Sequence, residues 1–501
     1  MLHEKWEALK TKLREIYDLE ATMAILSWDQ NTYMPPAAAE ARGHQLSLLG
    51  KLVHQKKTDP RLGELLEDLE KATASSSLDS DQAAIVRVAK RQYEEAQKVS
   101  ADFMARFYRH ITETNQAWLE AREANDFGKV IPYLKKTLEL SLEYADFFPE
   151  KEHVSDPLIN RSDYGMKASM LRKLFHELRR ELVPFVEAVT KKPASDRSSL
   201  EQSYPVQKQL DFSKEIIKQM GFDFNRGRVD LSAHPFMTRF AAGDVRITTR
   251  VNERDISEAL FSTIHEAGHA LYELGIRPEY DGTPLYDGTS SGVHESQSRL
   301  WENVIARSRE FWTYFYPQLQ ATFPTQLGRV TLDEFYRAIN HVKRSLIRTE
   351  ADELTYNLHV IIRFDLELHM LEGKLRVEDL RDAWNERYQS DLGITPPDDR
   401  SGVLQDIHWY ADFIGGQFQG YALGNILSCQ FYEAALKDAP HIPDQIAHGS
   451  FTALHSWLKE QIYQHGSKYT ADELIRRATG SELTIQPYLD YLRKKYSELY
   501  L

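Results

Sequence analysis

Apolar residues recur three and four positions apart along most of the chain, and this spacing constrains the fold more than any other feature. Leu9, Leu13 and Ile16 follow it near the start, and Leu171, Phe175 and their neighbours follow it further along. Such spacing places apolar side chains on one face of a helix, and more than a dozen segments show it. The sequence therefore predicts an all-α fold.

One segment departs from the helical pattern. From Phe236 to Val251, short runs rich in Thr, Arg and β-branched residues flank an Ala-Ala-Gly-Asp turn, which predicts one small β hairpin. The chain contains no repeat period, no low-complexity tract and no long Pro, Gly or Ser linker. We therefore expect residues 1–501 to form a single large domain.

Composition excludes several classes of function. The formal net charge of -13 argues against a nucleic-acid surface, which depends on clustered Lys and Arg. No apolar run is long enough to span a bilayer, and the charged, amphipathic first twenty residues do not resemble a signal peptide. The single cysteine, Cys429, predicts a small buried side chain in a reducing compartment. We expect a cytoplasmic protein.

The segment Ile256–Leu274 predicts a helix that carries a metal-binding motif. It contains His265-Glu266-Ala267-Gly268-His269, so the two imidazoles lie one helical turn apart on the same face and can share one ion. Glu266 projects beside them as a candidate general base. The alternative is that both histidines are ordinary residues of a helix face, since this short motif also arises by chance.

A catalytic zinc site takes three protein ligands and leaves a position open to water. No third histidine follows at the spacing of the extended HExxHxxGxxH motif. After a Gly-, Asp- and Ser-rich segment, Pro278–Gly292, which predicts a loop, His294 and Glu295 open another helix. Glu295 then faces the first helix and completes a site of two histidines and one glutamate. The alternative is a solvated acid at a helix N-terminus.

These motifs resemble those of the M32 metallocarboxypeptidases, the carboxypeptidase Taq type, and the resemblance covers nearly the whole chain. Five separated motifs occur in the family's order: HEAGH from His265, HESQ from His294, Asp244–Thr248, Ile347–Tyr356 and Gly402–Trp409. The resemblance implies a mostly helical subunit with a substrate cleft, related to neurolysin and angiotensin-converting enzyme. It also implies a homodimer that acts on peptides with a free C-terminus.

The expected reaction is hydrolysis by metal-activated water, with one Zn²⁺ per subunit that Co²⁺ or Mn²⁺ could replace. Glu266 would move the proton, and His408 and Tyr421 are the candidate donors to the oxyanion. Tyr421 also resembles the substrate-stabilising tyrosine of angiotensin-converting enzyme. The alternatives are that His408 is a satisfied core histidine and that Tyr421 only packs along a helix.

An enzyme that acts at a C-terminus must recognise a carboxylate, and the arginine fork matches that anion. Arg348, placed by its sequence pattern in a helical run, is the first candidate, and Arg246 in the hairpin is the second. Arg348 could instead pair with Asp352 four residues later, and Arg246 with Asp244.

Two other functions remain open at the level of sequence. An oligopeptidase or dipeptidyl carboxypeptidase would use the same zinc chemistry in a different cleft. A helical binding protein could carry the HEAGH segment without activity. The first would differ from a carboxypeptidase in the size of its products, and the second would bind no metal.

Overall fold

The computed structural model describes residues 2–74 and 79–501 and shows a predominantly helical protein. The first half contains the helices α1 (Leu2–Thr32), α2 (Ala39–Lys57), α3 (Pro60–Ala74), α4 (Ser80–Lys98), α5 (Ala101–Ala124), α6 (Ile131–Asp146), α7 (Asp156–Asn160), α8 (Ala168–Thr190), α9 (Val206–Met220) and α10 (Ile256–Gly275). The second half contains α11 (Ser291–Arg299), α12 (Arg309–Thr322), α13 (Pro324–Leu327), α14 (Leu332–Ile339), α15 (Tyr356–Leu371), α16 (Leu380–Leu392), α17 (His408–Ala411), α18 (Gln419–Asp438), α19 (Ile442–Ala447), α20 (Thr452–Gln461), α21 (Ala471–Thr479) and α22 (Gln486–Tyr500). The all-α prediction is confirmed.

A three-stranded sheet interrupts the helices before α10. Strands β2 (Met237–Ala241) and β3 (Asp244–Thr249) form the expected antiparallel hairpin. A third strand, β1 (Gly227–Leu231), which the hairpin prediction did not include, pairs in parallel with β3 on its other side. The hairpin is therefore two strands of a mixed sheet in the order β1-β3-β2.

Buried apolar side chains form one large cluster and two smaller ones. The large cluster surrounds α10, α15 and α18, whose inward residues are almost fully buried. Leu9, Leu13 and Ile16 of α1 pack with α3 and α4, as the spacing predicts, and this second cluster reaches the loop after α10 through Tyr280 and Tyr286. Among the described residues, no helix has both the length and the apolar character needed to cross a membrane.

Local signals explain where α10 and α11 begin. Asp255 caps α10, since its side chain accepts the backbone N–H of Ser257 at 2.8 Å. Ser290 caps α11 by accepting the N–H of Val293 at 3.2 Å. Between the two helices, the predicted loop contains only one short 3₁₀ turn, Pro278–Tyr280. The chain thus returns to place α11 against α10, as the proposed ligand set requires.

The prediction that Arg348 lies in a helical run is wrong. The chain from His341 to Thr355 is irregular apart from one 3₁₀ turn, Arg348–Glu350, and α15 begins only at Tyr356. Asp352 accepts the backbone N–H groups of Leu354 and Thr355 at 3.0 and 3.1 Å. Side-chain bonds of this kind compete with the helical pattern of hydrogen bonds, and here they prevail.

Candidate metal centre

Helix α11 lies in close contact with both α10 and α18, and two glycines make this approach possible. A Cβ atom on Gly268 of α10 would lie 2.7 Å from the backbone of Gln297 and Ser298 in α11. On the opposite side, a Cβ atom on Gly424 of α18 would lie 2.3 Å from Cγ of Glu295. Any larger side chain at either position would force the helices apart. The two glycines therefore determine how near Glu295 comes to the histidines of α10.

The three predicted ligands converge. The Nε2 atoms of His265 and His269 lie 3.8 and 3.4 Å from the same oxygen, Oε2 of Glu295. Potential ligand atoms of the three residues all lie within 4.8 Å of one another, and no other such group of His, Cys, Asp or Glu occurs in the described part of the chain. Two imidazole nitrogens and one carboxylate oxygen are the donor set of many catalytic zinc sites. The residues present fit a divalent metal ion.

Charge around the site prepares these side chains as ligands. Burial lowers the pKa of His269 to about 4, so that its lone pair is free. Burial opposes ionisation of Glu295, but Arg299, whose Nε lies 2.7 Å from Oε1, holds the pKa of that carboxyl well below its usual range. Arg299 occupies Oε1, whereas Oε2 accepts the Ser298 hydroxyl at 3.2 Å and faces the two imidazoles.

A carboxylate orients His265 through the Nδ1 atom of its ring. Oε2 of Glu302 lies 2.9 Å from Nδ1 of His265. Glu302 belongs to a turn of π-helix, Leu300–Ile305, that continues α11. Such turns are rare and occur often at functional sites, because the extra residue re-aims the side chains that follow. Burial opposes ionisation of Glu302, but its hydrogen bond to His265 and the charge of Arg299 lower its pKa to about 2.

Glu266, the predicted base, is buried beside the ligands. Its side chain is only 6% exposed and makes no hydrogen bond to the rest of the described chain. Burial raises the pKa of this carboxyl to about 7, against the lowering influence of His265. A carboxyl group with such a pKa can both accept and return a proton near neutral pH.

A cavity of about 510 Å³ opens onto the ligands. His269, Glu295 and Tyr421 line it on one side. The other lining residues come from α4, from the end of α7 and the segment after it, from the loop between α10 and α11, from α11 and from the segment after α20: Arg91, Gln92, Glu95, Asn160, Arg161, Ser162, Tyr164, Pro284, Asp287, Gly288, Thr289, Ser290, Ser291, His294 and Ser467. Of these, sequence patterns singled out only the loop before α11 and His294. Cavities of this size accommodate a short peptide segment.

Tyr421 and His408, the two candidate oxyanion donors, lie together. Nε2 of His408 lies 3.2 Å from the hydroxyl of Tyr421. Burial raises the pKa of Tyr421 to about 12 and lowers that of His408 to about 4, so that the phenol keeps its proton and the imidazole is neutral. Nδ1 of His408 is buried without a hydrogen-bond partner in the described structure. The pair borders the cavity through Tyr421.

The two candidate arginines are both paired with aspartates. Nε and Nη2 of Arg348 lie 3.0 and 2.8 Å from Oδ1 of Asp406, so the suggested pairing with Asp352 is wrong. Nε and Nη2 of Arg246 contact the two oxygens of Asp244 at 2.8 and 2.7 Å, which is the structural interaction considered as its alternative. Neither arginine is among the residues that line the cavity, although Arg348 lies 5.1 Å from the ring centre of Tyr421.

We expect Gly424→Ala to weaken metal binding. The added methyl group would overlap Glu295, and such overpacking typically costs about 1–3 kcal/mol while displacing its neighbour. Chelator competition would measure the metal affinity. Gly43→Ala is the matched control, because Gly43 also lies in a helix, α2, but a Cβ atom there meets nothing within 4 Å. Unchanged affinity in the Gly424 variant would contradict the steric role of this contact.

Comparison with known proteins agrees with this geometry. The family model described as carboxypeptidase Taq (M32) metallopeptidase matches residues 8–496. Thermostable carboxypeptidase 1 of Thermus thermophilus is 39% identical, over 97% of this chain and 97% of that protein. Carboxypeptidase 1 of Bacillus subtilis is 38% identical, over 98% and 97%.

Solved structures agree as well. The M32 carboxypeptidase of Deinococcus radiodurans superimposes with a TM-score of 0.97 at 51% identity, over 99% of both chains. Metallocarboxypeptidase 1 of Trypanosoma cruzi gives a TM-score of 0.93 at 31% identity, over 98% of this chain and 99% of the other. By its sequence across almost its whole length and by its fold, the chain belongs to the M32 family of metallopeptidases.

Proposed function

We propose that this protein is a cytoplasmic zinc carboxypeptidase that releases single amino acids from the free C-terminus of peptides, with broad specificity for their side chains. One observation carries the proposal: Nε2 of His265, Nε2 of His269 and Oε2 of Glu295 converge beside the buried carboxyl of Glu266, next to a cavity. Membership of the M32 family and the names of the relatives support the same reaction.

His265, His269 and Glu295 would hold the metal ion. When bound there, a divalent cation supplies Lewis-acid chemistry, polarising the scissile carbonyl and making water acidic enough to ionise near neutral pH. Zinc is the ion we propose because two imidazoles and one carboxylate form a common catalytic zinc set. Cobalt and manganese accept similar donors, so availability also influences which metal is bound.

Glu266 is the proposed general base. It follows His265 directly in α10, so that the helix that supplies two ligands also positions the base. Its carboxylate would take a proton from the attacking water and return it to the nitrogen of the leaving amino acid. Burial beside the ligands raises the pKa of this carboxyl, which makes it a better proton acceptor than an exposed glutamate.

Tyr421 and His408 are proposed to stabilise the developing negative charge on the substrate carbonyl. The phenol, with its pKa raised to about 12, remains a hydrogen-bond donor at neutral pH. His408 would hold the hydroxyl in place through the 3.2 Å contact of its Nε2 atom. A donor aimed in advance at the site of developing charge lowers the barrier without reorganising during the reaction.

Arg348 remains our first choice for the group that recognises the substrate carboxylate. Its contacts with Asp406 and with the hydroxyl of Tyr356 involve three of its five N–H groups, which leaves two available. Asp406 also pairs with Arg363, so one aspartate balances two arginines in a buried cluster. Arg246 is the second choice, because its guanidinium is already paired with Asp244 and lies against the ring of Trp28.

We expect Arg348→Ala to raise KM for peptides with a free C-terminus by ~10–100-fold, because a hydrogen bond to a charged group contributes about 1.5–3 kcal/mol. Arg348→Lys should recover only part of this loss, since it keeps the charge but loses the fork. Steady-state kinetics on a free peptide measure the effect. An unchanged KM in the alanine variant would exclude Arg348 as the carboxylate-binding residue.

The proposed function is tested with one defined peptide in free and C-terminally amidated forms. We expect the free peptide to shorten one residue at a time, the amidated peptide to remain intact, and a chelator to stop the reaction until Zn²⁺ is restored. Mass spectrometry of the products and metal analysis of the protein measure these outcomes. Release of dipeptides or cleavage of the amidated peptide would instead indicate an oligopeptidase.

A further inference from the structure

The Nδ1 atom of the second metal ligand, His269, does not contact a carboxylate directly. Its Nδ1 atom lies 2.6 Å from Nδ1 of another histidine, His294 in α11. Nε2 of His294 lies 2.9 Å from Oε1 of Glu273, near the end of α10. Oε2 of Glu273 in turn lies 2.8 Å from Nη1 of Arg239 in β2. These four residues form a continuous hydrogen-bonded chain that leads from the sheet to the metal site.

Metal ligation determines the direction of every hydrogen bond in this chain. His269 faces Glu295 with Nε2, so its proton must lie on Nδ1, which donates to Nδ1 of His294. His294 must then carry its own proton on Nε2, which donates to Glu273. We propose that His294 is a positioning residue for the metal ligand, fixing the tautomer and the ring orientation of His269. This inference rests on the proposed metal site.

The surroundings of His294 hold its ring in one orientation. A Cβ atom on Gly288, in the loop after α10, would lie 2.6 Å from Cδ2 of His294, so the loop backbone lies directly against the ring. The ring centre of Tyr272 lies 5.3 Å from that of His294. Glu273 is only 2% exposed and is paired with Arg239. A side chain with this little freedom can orient its neighbour.

The two metal-binding histidines therefore have different partners. His265 contacts the carboxylate of Glu302 at 2.9 Å, whereas His269 reaches the carboxylate of Glu273 only through the imidazole of His294. A carboxylate behind a ligand histidine makes it a stronger donor, and outer partners of this kind typically contribute ~10–100-fold to metal affinity. His294 thus connects the carboxylate of Glu273 to the ligand His269. Through these contacts it links α10, α11 and β2 at the metal site.

The test measures Zn²⁺ affinity by competition with a chromophoric chelator in His294→Phe, His294→Asn and the wild type. Phenylalanine keeps the ring but has no acceptor, and we expect it to lower affinity by ~10–100-fold. Asparagine places Oδ1 where the imidazole has Nδ1, so it keeps the acceptor for His269 and should lose less. The visible spectrum of the Co²⁺-loaded protein should shift in both variants, since ligand orientation changes.

Thermal melting of the metal-free proteins establishes that the variants fold. His110→Phe controls for the substitution itself, because His110 in α5 contacts Thr137 of α6 at 2.9 Å and lies outside the metal site. Wild-type Zn²⁺ affinity in both His294 variants would overturn the inference. If the phenylalanine variant does not fold, the Zn²⁺ affinities of His294→Asn and Glu273→Gln test the inference instead, and wild-type affinity in both would overturn it. A wild type that binds no metal would instead refute the proposed function, so the two failures are distinguishable.

Discussion

Glu266→Gln is expected to lower kcat by ~10²–10⁴-fold while leaving the metal bound, since general acid–base catalysis contributes about that much. Glutamine has nearly the same shape as glutamate but cannot accept a proton from water. Glu266 does not belong to the convergent ligand group, so its replacement removes no donor from the metal. Peptide turnover and metal content, measured on the same preparation, test both parts of this prediction.

The control is Glu258→Gln, two turns earlier in the same helix, where the carboxylate pairs with Arg250 at the surface. We expect this variant to retain wild-type turnover, which separates loss of the base from loss of charge on α10. Turnover close to wild type in Glu266→Gln would contradict the assignment of the base. Loss of metal in that variant would show that Glu266 helps to retain the ion.

The parts of the fold that depend on neighbouring residues could be predicted from the sequence. Helix α10 begins after Asp255, as its cap indicates, and the β2–β3 hairpin lies around the expected turn. Strand β1 was missed because its partner β3 begins only at Asp244, 13 residues after β1 ends and beyond β2, so that no turn connects the two. Parallel pairing depends on tertiary contacts, which periodicity does not report.

The segment around Arg348 shows how tertiary contacts override a helical pattern. The backbone N–H of Arg348 donates to Oε1 of Gln405 at 2.9 Å, and its side chain is fixed by Asp406. Both partners lie almost sixty residues further along the chain. Such contacts outweigh the few tenths of a kcal/mol that helix propensity contributes at one residue. No local pattern could reveal them.

The difference between local sequence patterns and tertiary contacts also applies to the metal site. The spacing of His265 and His269 is a property of one helix, and Arg299 could have been found as a residue four positions after Glu295 on α11. Glu273 likewise lies four positions after His269 on α10, but its link to that ligand passes through His294 of α11. The partner of His265 could not be found in this way, because Glu302 lies 37 residues further along the chain, in the π-helical turn that continues α11.

His265→Ala is expected to abolish both metal binding and peptidase activity. Removing a direct ligand should cost more than the ~10–100-fold in affinity that loss of an outer partner costs, because two donors remain where three are needed. The fold should survive, since Glu302 keeps its contacts with Arg299 and Arg307 at 3.4 and 3.3 Å. Metal analysis after dialysis, together with thermal melting of the metal-free protein, measures these effects.

Comparing His265→Ala with Glu266→Gln tests the assignment of ligand and base more strictly than either variant alone. The two residues are adjacent in α10, Glu266 buried and His265 partly buried beside the same site. A general disturbance of the helix would affect both variants alike. If His265 is a ligand and Glu266 is the base, His265→Ala loses the metal and Glu266→Gln retains it, while both variants lose turnover. Stoichiometric, tightly bound Zn²⁺ in His265→Ala would therefore place the ion elsewhere and remove the chemical basis for assigning Glu266 as the base.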